Sequence, residues 1–467
     1  MKVSVKDLGI LKQAEFEVGD LTIICGTNNT GKTYATYALY GFLTFWNESF
    51  SHSYIAENEF AQLLKQGSIV VELDEIKKTS HSIVDRACDD YSQNLPMVFG
   101  ASNKYFSNSS FKISFDNVDF LEIGRKIQTK SLEGKPICDI EKKQGESFLI
   151  ITIIANSDEI NTVNKNWFMY QINRDIQCVL FSNIIPEPFI ASIERTGAAM
   201  FQKELDIYRN RLLEQVSNRE KTINPIDLIN VYFDDFDGRY ALPLRRDVDF
   251  IRDLANVAKY ESSIEKVNPH ILEHFDLLAG GEYEASREGV HYIPNKSKAK
   301  LTMGESASSV RSLLNLGMYI RHIASPGDLL MIDEPELNLH PKNQRLMARL
   351  LAKLVNAGVR VFITTHSDYI LKEFNTLIMM KTAGSRATSI MEEYEYDKSE
   401  LLDTKMIKAY IAKSELIKFD ELKKKRRSNT FVKAPIHMQG IEIAEFDETI
   451  NIMNEIQETL LNSGDML

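Results

Sequence analysis

The chain is short of several things that would decide its class at once. It has four cysteines, Cys25, Cys88, Cys138 and Cys178, with no CxxC pair among them and no secretory leader ahead of them. They read as ordinary reduced thiols, buried or partly buried, in a cytoplasmic protein. No apolar run approaches the roughly 18–20 residues a bilayer requires, so no membrane partner is expected. FLIITIIA (Phe148 to Ala155) is among the most apolar stretches, and its β-branched content and polar exit read as a buried strand. Basic residues are in deficit, with 55 Lys and Arg against 66 Asp and Glu and a net charge of -11. That balance disfavours the all-over basic surface of a dedicated nucleic-acid binder and leaves room only for a local patch. Sustained heptads are also missing, which excludes a long coiled coil.

What is present is the composition of a folded protein, 43% hydrophobic and 26% charged over 467 residues, enough for two or three domains. The most informative stretch is GTNNTGKT, Gly26 to Thr33. It follows LTIIC, a nearly continuous apolar strand, and opens TYATYALYGFLTFW, which has helical spacing. Strand, glycine turn and helix in that order are what a phosphate loop needs. Gly26 and Gly31 let successive backbone N–H groups turn inward, with Thr27, Asn28, Asn29 and Thr30 between them. Lys32 reaches the terminal phosphates of ATP, Thr33 offers a hydroxyl to Mg²⁺, and the helix adds its N-terminal dipole.

A second site is DLLMIDEPELNLHP, Asp328 to Pro341. An apolar strand delivers Asp333 to the carboxyl edge of a sheet, where ligands bind in open α/β folds. Asp333 is expected to hold Mg²⁺ through water, and Glu334 to accept a proton from the attacking water. A third is VFITTHSDYIL, Val361 to Leu371, whose strand ends in His366, placed to sense the terminal phosphate.

The remaining organisation is read from periodicity. Residues 1–48 begin an α/β ATPase head and 49–190 form an α+β insertion. Residues 191–275 form a helical arm including FQKELDIYRNRLLEQV, and 276–400 complete the head. There the pattern runs hairpin (278–294), helix, strand, helix, strand, then a short helix DYILKEF and a strand LIMMK. Residues 401–467 read as a polar helical tail carrying KKKRR (Lys423 to Arg427), a solvated helix face or a contact for nucleic acid or a partner.

The three motifs together resemble ATP-binding-cassette ATPases, in the branch of the chromosome-maintenance and overcoming-lysogenization-defect proteins, whose heads are split by a long insertion. The resemblance covers roughly residues 1–45 and 190–385. It implies a P-loop head, ATP and Mg²⁺ as ligands, and dimerisation of two heads around two nucleotides, each facing a signature motif of the other. MGESASSVRSL (Met303 to Leu313) is the candidate signature, with Gly304, Ser306, Ser308 and Ser309 as its candidate residues. It departs from the usual LSGGQ-like form, and which serine meets the phosphate stays open. Arg195, in PFIASIERTGAAM, is a candidate to approach the nucleotide or the lobe interface, or else a salt-bridging residue. Asn338 and His340 are further candidate interface positions.

Many members of this branch carry a TOPRIM nuclease, but no D-x-D after an apolar strand follows His366. The expected effector is therefore a separately encoded nuclease. The chain looks like the ATPase subunit of PARIS-type anti-phage systems, which implies a homo-oligomer that restrains a TOPRIM-type nuclease until a phage-encoded trigger is detected. Pairing with an HNH nuclease, attachment to a retron, and a DNA-maintenance ATPase are the alternatives, with a transporter subunit behind them.

Overall fold

The computed structural model describes residues 1–116, 120–122, 124–131, 134–156, 160, 163–201, 240–286, 289–418, 425–443 and 452–460. The chain opens with β1 (Lys2–Leu8) and β2 (Leu11–Glu17), an antiparallel hairpin, then β3 (Leu21–Gly26), buried along its whole length. The helix Lys32–Glu48 follows. Next come β4 (Ser68–Glu72), β5 (Ser110–Ser114), β6 (Arg125–Lys130), β7 (Pro136–Lys142) and β8 (Phe148–Ile153). β9 (Pro188–Ala191), β10 (Gly281–Ser286), β11 (Gly289–Pro294), β12 (Leu301–Thr302), β13 (Leu329–Asp333), β14 (Arg360–Thr365), β15 (Ile407–Lys418) and β16 (Lys425–Lys433) complete the main sheets.

The largest sheet has nine strands in the order β5-β1-β2-β16-β15-β3-β14-β13-β9. From β15 to β9 every pairing is parallel, and the strands there read Val/Ile/Leu-rich because both faces are covered. Alternate residues of each strand feed different cores. Ile24, Leu329, Met331 and Phe362 face the core that holds the Lys32–Glu48 helix. Leu21, Ile23, Ile332 and Ile363 face the core built from helices Ser308–His322, Pro341–Asn356 and Asp368–Ala383. The fold is thus an α/β head with helices on both faces of a mixed sheet.

A second sheet, β4-β8-β7-β6, and the helices Glu57–Gln66, Asp74–Phe99 and Lys165–Phe181 lie on the first of these cores. They form the α+β insertion, although FKISF departs from it: β5 pairs with β1 at the edge of the head sheet. FLIITIIA is β8, half-buried, with Leu149 and Ile151 inward. The 278–294 stretch is the β10/β11 hairpin. FQKELDIYRNRLLEQV falls outside the described residues from its second position on. The helices Leu242–Val257, Ser263–Val267 and His270–Ala279 that follow pack on the second core.

Two sequence expectations are corrected. DYILKEF and LIMMK form one helix, Asp368–Ala383, because Ile370, Phe374, Leu377 and Ile378 share a helical face against the second core. The segment after Asp403, expected as a polar helix, enters the head sheet as β15 and β16. Ile407, Ala409 and Ile411 face one core and Tyr410 and Ala412 the other, the period of a strand covered on both sides. Lys425 to Arg427 of the basic run therefore lie on β16 and not on a helix. Helix does occur at 452–460.

β15 pairs with β3 up to Ala412 opposite Gly26, and its pairing with β16 continues from Lys413 to Lys418 beyond that point. The strand explains the first glycine of the loop. Gly26 has φ 135°, and a Cβ there would collide with the Ala412 carbonyl. Gly26→Ala should therefore lower folding stability by about 2–4 kcal/mol through backbone strain and overpacking. Thermal and urea unfolding would measure this, and a melt equal to wild type would contradict the packing.

Candidate functional site

The register of the parallel strands sets the site. Asp333 on β13 lies opposite Thr364 on β14, and Thr365 opposite Cys25 on β3, so three strands end at one level. The loop Gly26–Gly31 leaves from that edge. Thr27, Asn28 and Asn29 are exposed, and Thr30 closes the turn by donating its hydroxyl to the Thr27 carbonyl at 2.8 Å. Gly31 is the helix N-cap at φ 99°, with no side-chain cap on the first turn, so the helix presents free N–H groups to the loop. Lys32 is 6% exposed, and its ammonium donates to the Gly26 carbonyl at 3.0 Å and the Thr27 carbonyl at 2.8 Å. Burial holds it below the usual lysine range, against the pull of Glu334 and Asp333.

Asp333 is 1% exposed, and burial pushes its carboxyl above the usual range, opposed by hydrogen bonding to the Thr364 and Thr33 hydroxyls. Thr364 donates to Oδ1. Oδ2 is buried and has no hydrogen-bond partner within bonding geometry among the described residues. An orphaned carboxylate oxygen beside a threonine hydroxyl, at the mouth of a phosphate loop, fits a hydrated Mg²⁺ shared with phosphate oxygens. Among the described residues no group of three or more His, Cys, Asp or Glu is placed to hold a metal without such help.

Glu334 has φ 55°, in the left-handed region that costs a non-glycine residue about 1–3 kcal/mol. Its N–H donates to the Thr364 carbonyl at 3.1 Å. His366 Nε2 lies 3.3 Å from Glu334 Oε1, and this contact holds the carboxyl below its usual range despite burial. Glu334 is thus held in its carboxylate form near neutrality, the form in which such a group can accept a proton. Glu336, which the motif reading passed over, positions the histidine: its carboxylate accepts from the His366 N–H at 2.6 Å and the Thr365 hydroxyl at 3.0 Å. The second glutamate of DEPE was the available signal for it.

Arg195 is 2% exposed. Nε donates to the Ser312 carbonyl at 2.9 Å, Nη1 to the Ser192 and Asp333 carbonyls at 2.8 and 2.7 Å, and Nη2 to the Glu334 carbonyl at 2.7 Å. The expectation of an interface, nucleotide or salt-bridging arginine is corrected by this geometry, since the fork is consumed by backbone carbonyls of its own chain. Beside it, Asp247 is 1% exposed and accepts from the Ser192 N–H at 3.1 Å and from Asn315 Nδ2 at 2.6 Å. Nothing in the local sequence marks Asp247, which only the tertiary fold brings here.

The candidate signature stands at the start of the helix Ser308–His322. Ser306 is buried and donates its hydroxyl to the Thr302 carbonyl at 2.8 Å. Gly304 and Ser308 are exposed, Ser309 is half-buried, and the N-cap, Ala307, supplies no side-chain cap. Arg311 braces the turn on the Met303 and Ser306 carbonyls at 3.0 and 2.6 Å. Asn338, at φ 62°, and His340 are exposed on the turn after Glu336. His340 caps the next helix by accepting the Lys342 N–H at 3.3 Å.

A family model describing an AAA ATPase domain, AAA_15, matches residues 1–371. The chain belongs to that family. The match spans every strand and loop of the site just described, so the Gly26–Thr33 loop, Asp333, Glu334 and His366 of this AAA ATPase domain all lie within the family's extent. Comparison with curated proteins gives no match. Among solved structures the AAA ATPase domain is similar to the SMC head domain from Thermotoga maritima, with 12% identity over 93% of this chain and 98% of that one and a TM-score of 0.28. It is also similar to a Pyrococcus furiosus Smc head domain with an extended coiled coil bound to the C-terminal domain of ScpA, with 11% identity over 98% of each chain and a TM-score of 0.31. None of the helices among the described residues is long and apolar enough to cross a membrane.

Asp247 gives a pH signature. Burial pushes its carboxyl up to about 7 from 3.8, so the folded chain holds this proton more tightly than the unfolded chain. The stability this group contributes is fully present below about pH 4 and is lost as pH rises through about 7. Asp247→Asn should remove that slope, so that its melting temperature gains on wild type from pH 4 to pH 8. Parallel curves across that range would contradict the assignment. The mismatched amide donor adds an offset that does not change with pH.

Proposed function

We propose that this chain binds and hydrolyses ATP with Mg²⁺ and closes as a dimer of heads around two nucleotides. It is a member of the AAA ATPase domain family, and the convergence of Lys32, Thr33, Asp333, Glu334 and His366 at one strand edge carries the reading. The phosphates replace the carbonyls on Lys32, and the loop N–H groups and the Lys32–Glu48 dipole add to its charge. Bound Mg²⁺ would neutralise charge on the β- and γ-phosphates, held through Thr33 and Asp333. Glu334 takes a proton from the attacking water as its oxygen bonds to the γ-phosphorus and the bond to the ADP oxygen breaks. His366 steadies Glu334 and faces the terminal phosphate.

The second half of the site is supplied in trans. The uncapped helix at Ser308 points an unfilled N-terminus outward, a place for phosphate oxygens of the other head's ATP. Gly304 and Ser308 are the exposed members of the signature and so the ones that reach it, with Ser309 behind them. Ser306 holds the turn. Asn338 and His340 lie on the surface that meets the partner.

At the level of biology, we infer a sensor in anti-phage defence that restrains a separately encoded TOPRIM-type nuclease and releases it when a phage protein is detected, in the cytoplasm. The split head and the P-loop, DEPELNLHP and TTHS set support this reading. An HNH nuclease partner is the alternative, and a DNA-maintenance role is disfavoured by the acidic balance.

Lys32→Ala should weaken ATP binding at least about 100-fold, since a charged phosphate contact in a buried site contributes roughly 3 kcal/mol. Equilibrium binding of a fluorescent ATP analogue tests this, and unchanged affinity would sink the site. Glu334→Gln should keep ATP affinity, lose turnover about 10²–10³-fold and accumulate an ATP-dependent dimer in size-exclusion chromatography. Normal turnover in that variant would remove Glu334 as the base. Tagged wild-type protein should co-purify with the product of a neighbouring nuclease gene and protect cells only when that gene is present. Protection without any such partner would overturn the restraint model.

A further inference from the structure

Two buried polar groups tie the strained turn at Glu334 to the helix that begins at Ser308. Arg195 reaches the Asp333 and Glu334 carbonyls with Nη1 and Nη2 at 2.7 Å each, and the Ser312 carbonyl with Nε at 2.9 Å. Ser312 lies in the first turns of the Ser308–His322 helix. One turn further along the same helix, Asn315 donates to Asp247 at 2.6 Å, and Asp247 accepts in turn from the Ser192 N–H, whose carbonyl is itself on Arg195. The ring of contacts thus runs from Glu334 through Arg195 and Asp247 to two points on one helix.

The chemistry suits transmission better than simple filling. Among the described residues Arg195 makes no hydrogen bond to a carboxylate, so its charge sits on oriented carbonyls, and its planar fork fixes their relative positions as a lysine ammonium would not. The other side chains of the Ser308–His322 helix that face inward, Val310, Leu313, Leu314 and Leu316 among them, make apolar contacts in the second core, and such contacts are not directional. Tyr283 and Ser262 also hold this helix by donating to the Val310 and Ile320 carbonyls at 2.6 Å each, and the polar ring is the set of directional contacts that ties it to the Glu334 turn. Glu334 itself sits at φ 55°, a conformation that persists only when its surroundings over-determine it.

We propose that Arg195 and Asp247 are positioning residues that lock the Ser308 helix to the Glu334 turn, so that the state of one head's nucleotide site sets how that head presents its serine end to the partner's ATP. This rests on the dimeric reading given above. Arg195 touches no substrate in this scheme and acts only through the backbone it holds.

The test uses mixed dimers of full-length chains, purified through two different tags. In the control, one chain carries Lys32→Ala, so ATP occupies only the wild-type chain and faces the signature of the Lys32→Ala chain. Arg195→Lys is then added to the Lys32→Ala chain, leaving the occupied P-loop, Asp333 and Glu334 wild type. Expected is a loss of turnover of at least about tenfold against the control, within the usual range of coupling between sites. ATP affinity and melting temperature should match the control. Asn315→Ala in the same position, which removes only the Asp247 tie, should give a smaller loss in the same direction and covers the case in which Arg195→Lys does not fold. Turnover equal to the control in both variants would overturn the link while leaving the dimer intact. A loss that merely tracks a lowered melting temperature would make Arg195 a fold residue and overturn it too. A wild-type chain that never dimerises with ATP would overturn the dimeric reading, and the link with it.

Discussion

The site depends on the parallel register of β3, β14 and β13. Asp333 stands beside Thr364, and Thr364 beside Ile24, so the Asp333 carboxylate and the start of the Gly26–Thr33 loop leave the sheet at the same height. A slip of one residue would exchange the two faces of a strand and move its apolar set from one core to the other. Because both faces of β13 and β14 are buried, with Met331 on one side and Ile332 on the other, such a slip is resisted on both. The packing that stabilises the strands is therefore the same packing that places Asp333, Glu334 and His366.

Burial then sets the electrostatics. Lys32, Arg195, Asp333 and Asp247 are all nearly inaccessible, and in each the first cause of its displaced pKa is desolvation. Charges held this far from water are costly unless hydrogen-bonded or paired. Arg195 is compensated by four carbonyls. Lys32 has two carbonyls of its own loop, and Asp333 has one satisfied oxygen and one that is not. The partly satisfied groups lie beside the Gly26–Thr33 loop, while the guanidinium that spans four carbonyls holds the backbone around them.

The strand, turn and helix around Gly26–Thr33 and the position of Asp333 and Glu334 at a strand end were legible in the sequence because local order carries them. The hairpin at 278–294 was legible for the same reason. β15 and β16 were not, since the segment reads Lys-Ala-Tyr-Ile-Ala-Lys-Ser-Glu-Leu-Ile-Lys and its second half, pairing beyond the end of β3, has a polar composition that a helix shares. Asp368–Ala383 was divided because Thr376 interrupts its apolar run, while the helical face that joins Phe374 to Leu377 exists only against the second core. Arg195 was singled out but given the wrong kind of partner. Arginine in a motif suggests an anion, and only the tertiary structure shows carbonyls around it. Asp247 and Asn315 lie far apart in the chain and carry no local pattern, so their contact belongs wholly to the fold.

The helix beginnings after GTNNTGKT and MGESA are alike in one respect. The Lys32–Glu48 helix starts at Gly31 and the Ser308–His322 helix at Ala307, and neither has a side-chain cap. By contrast, Asn164, Ser262, His340 and Ser367 each cap their own helix. Bare beginnings are not confined to these two, since the helices that start after Leu73, Ala241 and Pro269 also lack a side-chain cap, and the reason for the missing cap has to be sought at each position. At Gly31 a side chain is excluded by Leu11 and by φ 99°, so the bare end there is enforced by packing. At Ala307, in an extended conformation that serine or aspartate adopts equally well, packing imposes no such requirement. The absence of a cap at that second position is therefore a choice of residue that the backbone does not force, whereas at Gly31 the backbone and Leu11 leave no alternative.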